Sequence, residues 1–398
     1  MHLVFDAFEL TPHSTKSKGI YSYAVNLCRA MAEQLGPGEH LHVAAHGDNV
    51  ADFAPLATQP GVRVHTLAPH MPSKWQRLWW SQWGATRWCR THSLEQVVYL
   101  SPKGFTPGVG RRWHGVPTVC VVHDLIPLWY LAHEPAFFGR LEGLLVKAGL
   151  LHTARHADRL VAISEATAQA LAAVGADANR VSVVYNGVPP LPQPAEADVH
   201  AVASQGPFCL AMASGLPHKN LAGVLAAYAA YRDLAGAQAW PLKVVGVTAD
   251  QVVAHDPAVT GTDGVEPLGT VSASMLAALY QQAEAFLFLS WIEGFGFPPL
   301  EALRAGTPVV CSDIAAHREL CAGLATLVSP ADTQAAAAAL WSLQADEAQA
   351  SASSLPTQRL ARVAAMEARL VGRLNWAACA QGVWAAVRAL SAHGGAPS

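Results

Sequence analysis

Ser290-Trp291-Ile292-Glu293-Gly294-Phe295-Gly296-Phe297-Pro298-Pro299-Leu300-Glu301-Ala302-Leu303-Arg304-Ala305-Gly306-Thr307-Pro308-Val309-Val310 reads by local rules as a strand end, a tight loop and a helix. Ala285 to Leu289 ahead of it is apolar, Gly294 and Gly296 break the run, and Pro298-Pro299 suits a first helical turn, where a missing N–H costs little. Gly306-Thr307-Pro308 stops the helix, and Val309 to Cys311 follows at once as the next strand. Joined this closely, the three make one unit of a parallel sheet whose loop lies at the strand's carboxyl end, where ligands of open α/β sheets bind. Glu293 falls just before the glycines and Glu301 is predicted in the first helical turn, so both can face that crevice. The N–H groups of Gly294, Phe295, Gly296 and Phe297, with a helix N-terminus behind them, would offer donors to an anion.

Similar apolar runs recur outward from this unit. Leu3 to Phe5, Leu41 to Ala45, Val62 to Thr66, Val97 to Leu100, Thr118 to Val122, Leu160 to Ile163 and Val181 to Val184 alternate with helical patterns, as in a parallel sheet covered on both faces. Pro189-Pro190-Leu191-Pro192-Gln193-Pro194 then breaks the chain as a linker. A second alternation follows: Phe208 to Met212, Leu242 to Val247, Val265 to Leu268, Ala285 to Leu289, Val309 to Cys311 and Thr326 to Val328. The predicted class is α/β, with Rossmann-like domains over residues 1–190 and 206–372 and a cleft between them as the expected home of a ligand. The last helix, residues 375–391, carries Trp376 and Trp384 on one face, and only the tail from Gly394 to Ser398 reads as disordered.

Composition narrows the class. At 398 residues, 52% hydrophobic and 14% charged, the chain can bury a large core. A net charge of −3 gives no global reason to bind nucleic acid, so any anion site must be local. Seven scattered cysteines without a Cys-x-x-Cys read as reduced core residues of a cytoplasmic protein. Met1 to Asp6 reads as a first strand, not a signal peptide, and no apolar run reaches membrane-spanning length. Of the eighteen histidines only His40 and His42 share a short spacing, without a partner cluster, so no metal site is expected there.

Glu293 and Glu301, with seven residues between them around Gly-Phe-Gly-Phe-Pro, resemble the Glu-x7-Glu signature of the family 4 retaining glycosyltransferases. The resemblance covers essentially the whole chain. It implies the GT-B fold, two Rossmann-like domains facing across a cleft, with the last helix crossing back onto the N-terminal, acceptor-side domain. It also implies a nucleotide-diphospho-sugar donor held by the second domain, with Glu301 gripping ribose hydroxyls and Glu293 facing the transferred sugar.

Further residues join on their own chemistry. In Ala213-Ser214-Gly215-Leu216-Pro217-His218-Lys219-Asn220 a turn leaves a strand and opens a helix, setting the Lys219 ammonium and helix N–H groups toward phosphate oxygens. The stretch resembles the family's diphosphate loop, except that His218 stands where an arginine is usual and would supply positive charge only when protonated. Val121-Val122-His123-Asp124 puts a histidine at a strand's carboxyl end and looks like the family's loop that contacts the donor sugar. Gly19 opens a helix after the first strand, at a phosphate- or acceptor-facing position, but Tyr21 and Ser22 replace the family's second glycine and arginine. Ser164 reads as a helix N-cap, and Asn186-Gly187 resembles the family's pair ahead of the linker.

Residues 74–90 place Trp75, Trp79 and Trp83 four apart among basic residues. Such a helix either packs inward as core or rests on a membrane that holds a lipid-linked acceptor. No Asp-x-Asp occurs, so no metal or other cofactor is expected. The resemblance is nearest to bacterial mannosyl- or rhamnosyl-type enzymes of surface polysaccharide synthesis. A metal-independent hexosyltransferase with a GDP-mannose-type donor and a glycan or lipid-linked glycan acceptor is therefore expected, cytoplasmic or peripheral at the inner membrane face. A sugar-nucleotide epimerase and a non-catalytic nucleotide-sugar-binding subunit are the alternatives.

Overall fold

The computed structural model describes residues 1–12, 18–92, 94, 96–104, 116–255, 264–349, 355–370 and 373–393, so the tail from Gly394 to Ser398 lies outside them. The chain divides into two compact units, Met1–Gly187 with Gly372–Ser398, and Val188–Val371.

Among the described residues the first unit has a seven-stranded sheet built from β1 (His2–Asp6), β2 (His40–Ala45), β3 (Val62–Thr66), β4 (Val97–Ser101), β5 (Thr118–Val122), β6 (Arg159–Ala162) and β7 (Val181–Val183). Its order is β3-β2-β1-β4-β5-β6-β7, with every pair parallel. Helices cover both faces, which is why its central strands read as unbroken apolar runs: every residue of β5 is buried.

The second unit repeats the plan with β8 (Cys209–Met212), β9 (Leu242–Val245), β10 (Val265–Gly269), β11 (Ala285–Phe288), β12 (Val309–Ser312) and β13 (Thr326–Val328). Their order is β10-β9-β8-β11-β12-β13, again parallel. The winding reverses between β8 and β11, so the loops leaving these two neighbours part at the point where open sheets bind ligands. This unit begins earlier than the predicted 206, because the helix Glu196–Ala203 belongs to it: Ala195 N–H donates to Ser274 Oγ at 2.8 Å, and Ser274 donates to Asp198.

The helix Trp376–His393 packs on the first unit. Trp384 is fully buried and its indole N–H donates to the Met31 carbonyl at 3.0 Å, while Gln34 Nε2 reaches the Ala377 carbonyl at 2.8 Å. Where this helix starts, a Cβ on Gly187 would fall 2.5 Å from the Trp376 ring, so that close approach demands glycine. All seven cysteines are free thiols and buried.

Candidate functional site

The loop after β8 closes with a single 3₁₀ turn, Pro217–Lys219, and Asn220 follows at φ +52°, a conformation Asn tolerates better than most residues. Asn220 caps the helix Leu221–Ala235, accepting from Gly223 N–H at 3.1 Å. Its amide group also donates to the carbonyls of Leu289 (2.9 Å) and Pro330 (3.0 Å). Trp291 N–H donates to the His218 carbonyl at 2.8 Å. Backbone and side chain thus lace the β8 loop to the β11 loop, fixing Lys219 opposite the glycine stretch.

There Lys219 Nζ meets Glu293 Oε1 at 2.6 Å, with only 22% and 10% of the two side chains open to solvent. The ammonium also lies 5.3 Å from the centre of the Phe288 ring, inside cation–π range. Burial by itself would raise the Glu293 carboxyl, but Lys219 overrides it and holds the group below the usual carboxylate range. The neighbouring His218 is buried, and burial with the adjacent Lys219 charge takes its imidazole down to about 4. It is therefore neutral near pH 7, so the positive charge expected of it only when protonated is not supplied there.

Gly296 caps the helix Phe297–Arg304 at φ +93°, and a Cβ there would sit 2.9 Å from His317 Cδ2 and 3.0 Å from its Nε2. Conformation and space both require glycine. Phe295 is buried, with its ring centre 4.9 Å from that of Phe297, which pins the loop from inside. Because the helix begins at Phe297, Glu301 lies beyond the first turn, not within it as predicted. Glu301 accepts from Tyr280 Oη at 3.1 Å, and burial raises its carboxyl despite that bond. The two glutamates therefore have different partners: one faces a cation, the other a phenol.

His317 was not foreseen. It is fully buried on the helix Ala315–Cys321, which leaves β12, the strand beside β11. Nδ1 bonds the Ser312 carbonyl at 2.9 Å, and Nε2 is buried against Gly296 without a hydrogen-bond partner. The signal for it was positional, since the loop after β12 opens on the same edge as the glycine stretch.

In the first unit His123 is buried at the end of β5, with Nε2 donating to the Pro102 carbonyl at 2.6 Å and its ring edge-on to Tyr23. Burial takes it down to about 4, so it is neutral. Gly19 is exposed in the helix Lys18–Ala32 and its Cα faces open space, so packing does not explain the glycine. Tyr21, by contrast, is tied to Asp52. Ser164 is the N-cap of Glu165–Ala173, as its sequence suggests. Asn186 is buried with neither amide atom partnered.

Two expectations change here. His40 and His42 do have company, because the parallel register sets His2 opposite His40 and brings His65 alongside. His42 bonds ring to ring with His2 (3.0 Å) and His65 (3.1 Å), so both its nitrogens are engaged with other imidazoles; among the described residues no group is arranged to hold a metal. The tryptophan stretch packs on the first sheet through Trp80, Ala85 and Cys89, but Trp75, Trp79 and Trp83 are 77%, 51% and 58% exposed. A π turn over Trp80–Gly84 shifts the face by a residue.

Residues 17–190 match the model of Glycosyltransferase Family 4, and residues 193–355 that of Glycosyl transferases group 1. The chain belongs to the glycosyltransferases. O-antigen chain mannosyltransferase RfbU of Salmonella typhimurium is 27% identical over 215 residues, covering 53% of this chain and 56% of that protein, so the chain spans about half the length of that relative. Among solved structures, sucrose-phosphate synthase from Thermosynechococcus elongatus superposes with a TM-score of 0.66 at 18% identity, covering 98% of this chain and 99% of that one. Anabaena HepE in complex with UDP and glucose gives the same TM-score and identity over 98% and 100%. This glycosyltransferase accordingly has the two parallel-sheet, Rossmann-like domains of the GT-B fold.

Proposed function

We propose that this glycosyltransferase moves a hexose, mannose-type, with retention from a nucleotide-diphospho-sugar to a glycan or lipid-linked glycan of a bacterial surface polysaccharide, without a metal. The observation that carries the reading is the Lys219–Glu293 pair at the switch point of the second sheet, set beside the start of the helix Phe297–Arg304. The mannosyltransferase named in the comparison supports the sugar and the O-antigen setting.

In the reaction the bond from the anomeric carbon to the diphosphate oxygen breaks, its electron pair leaving with the diphosphate. The acceptor oxygen bonds to that carbon, and its proton passes to the departing phosphate oxygen. Lys219 and the amides of Gly294, Phe295, Gly296 and Phe297 hold the charge that builds up there. Glu301 accepts hydrogen bonds from ribose hydroxyls, and Glu293, once Lys219 has turned to phosphate, faces the sugar. His123, anchored through Nε2, presents Nδ1 as an acceptor for a sugar hydroxyl. The enzyme works in the cytoplasm, peripheral to the membrane.

The test is transfer and donor hydrolysis across GDP-, UDP-, dTDP- and ADP-sugars, with and without EDTA. The reading expects one GDP-hexose to dominate and activity to persist in the chelator. Loss on chelation with recovery in magnesium or manganese overturns the metal-free chemistry, and acceptor-independent isomerisation of the donor points to an epimerase.

A further inference from the structure

His317 is left idle by the transfer chemistry although it stands beside the glycine loop. It follows β12 on the helix Ala315–Cys321, with none of its surface open to water. A carbonyl can only accept, so the 2.9 Å bond to Ser312 puts the imidazole hydrogen on Nδ1 and leaves Nε2 a lone pair. That lone pair is buried and unpartnered, 3.0 Å from where a Cβ on Gly296 would sit. An unsatisfied buried acceptor is costly, and native proteins hold few of them.

The groups that bear on this ring come from several elements. Burial, the largest effect, keeps it neutral; Glu293 on the loop after β11 and the Ser312 carbonyl favour a proton there, and Lys219 on the loop after β8 opposes one. On its own segment Arg318 and Asp313 pair with each other at the surface, Glu319 lies more than half a turn round the helix, and Cys321 is a buried free thiol, as is Cys311 on β12. On the helix Phe297–Arg304, Glu301 is bonded to Tyr280 and Arg304 to Glu367.

In the empty site the charges of Lys219 and Glu293 cancel, and His218 and His317 add none. A nucleotide-diphospho-sugar brings two negative charges and, in the reaction proposed above, draws Lys219 to phosphate. Glu293, with 10% of its side chain exposed, then loses its cation while an anion arrives beside it. A charge so far out of water needs a partner close by. Two imidazoles lie near enough to feel the change. For His218 the strongest neighbouring charge is Lys219, which opposes a proton; for His317 it is Glu293, which favours one.

We infer that His317 is a positioning residue that takes a proton on Nε2 as the diphosphate enters, the imidazolium replacing Lys219 as the counter-charge of Glu293. The proton comes from solvent, an N–H bond forms on Nε2, and no other covalent bond changes. The inference rests on the diphosphate site proposed above, and needs neither the sugar nor the acceptor of that reading.

The experiment is calorimetry of the full chain with GDP-mannose, UDP-glucose, dTDP-glucose and ADP-glucose, none of which titrates near neutrality, at pH 7 in PIPES and in imidazole buffer. The difference in binding enthalpy between buffers of unequal ionisation enthalpy counts the protons exchanged. Uptake of roughly 0.5–1 proton is expected with whichever donor binds. Since the bound state holds more protons, affinity is full at low pH and should fall about three- to tenfold per pH unit as the bound imidazolium titrates. His317→Asn, whose amide can keep the bond to Ser312, should bind the donor with no proton exchanged and a flat pH profile, whereas His218→Gln should keep the uptake. A merely structural role for His317 would weaken binding without changing the proton count. Donor binding by the wild type without uptake overturns the inference and leaves the proposed function standing, while binding of none of the four donors overturns both. Uptake that survives in His317→Asn or vanishes in His218→Gln also overturns it. If His317→Asn does not fold, nitrogen NMR spectra of labelled histidine in the wild type and in His218→Gln decide: in both, one imidazole nitrogen must gain a proton on donor addition, and its absence from either overturns the inference.

Discussion

At the carboxyl edge of the first sheet His123 is held by a backbone carbonyl and a tyrosine ring, and stays neutral. At the same edge of the second sheet Lys219 and Glu293 meet as ions with most of both side chains out of water. A neutral imidazole can wait for a ligand at little cost. A half-buried ammonium cannot, because a bare charge taken from water is costly unless a counter-charge lies close. On the proposed function Glu293 stands beside Lys219 where a donor diphosphate would bind, so that anion would compete with the carboxylate and the two edges would respond differently to mutation.

The largest effect should come from Lys219→Ala. It removes the cation and strands Glu293, so kcat/KM for the donor is expected to fall by about 100- to 1000-fold, as for loss of one charge-stabilising donor, and the melting temperature to drop with it. Steady-state kinetics beside a thermal melt checks both; unchanged turnover removes Lys219 from the site. Next comes Glu293→Gln, where the signs should separate. Transfer is expected to fall by about 100-fold, while bare nucleoside diphosphate binds several-fold tighter by calorimetry because Lys219 is released, roughly 1 kcal/mol. Weaker nucleotide binding in that variant would show that the carboxylate is not a competitor.

Glu301→Ala should weaken nucleoside diphosphate and intact donor alike, by roughly 1.5–3 kcal/mol for hydrogen bonds to a charged group. Calorimetry with both ligands tests it, and an effect confined to the intact donor would move Glu301 to the sugar. The smallest effect is on stability against pH. His123 and His218 are held down to about 4 in the folded protein, below the ordinary histidine value of about 6.5. Between these values the unfolded chain binds more protons than the folded one, so stability is full above about pH 6.5 and falls as pH drops toward 4. From pH 7 to pH 6 each should contribute roughly 0.5–1 kcal/mol of that loss. Denaturant melts of His123→Gln and His218→Gln should show the slope flattening, and unchanged slopes would mean that the two imidazoles already charge in the folded state.

Much of this architecture is legible in the sequence. Strands buried on both faces have to be apolar throughout, so runs such as Thr118 to Val122 stand out, and glycine-proline punctuation marks where they turn. Lys219, Glu293 and Gly296 stood out as candidates because each lies in the loop that follows a strand's carboxyl end. Register was not legible: nothing local to His2, His42 or His65 says that three separate strands align them, since pairing is set by packing far along the chain. The π turn at Trp80–Gly84 was not legible either; within it Gly84 lies so close to the rings of Trp79 and Trp80 that a Cβ there would come within 2.5–3.0 Å of them. The partner of Glu301 was equally out of reach, with Tyr280 21 residues away on another helix.

The helix that buries Trp384 against Met31 has a consequence for how the molecule is made. Residues 188–371 form a continuous unit, but the first unit is assembled from Met1–Gly187 and the segment from Gly372 onward, so its two parts leave the ribosome far apart in time. Until Trp376–His393 emerges, the helix Lys18–Ala32 lacks the partner that caps its Met31 carbonyl, and the surface that Trp384 covers stays open. The second unit, although later in the sequence, can complete its own folding first. During synthesis the nascent first unit is thus the stage most exposed to aggregation, until the last helix covers that surface.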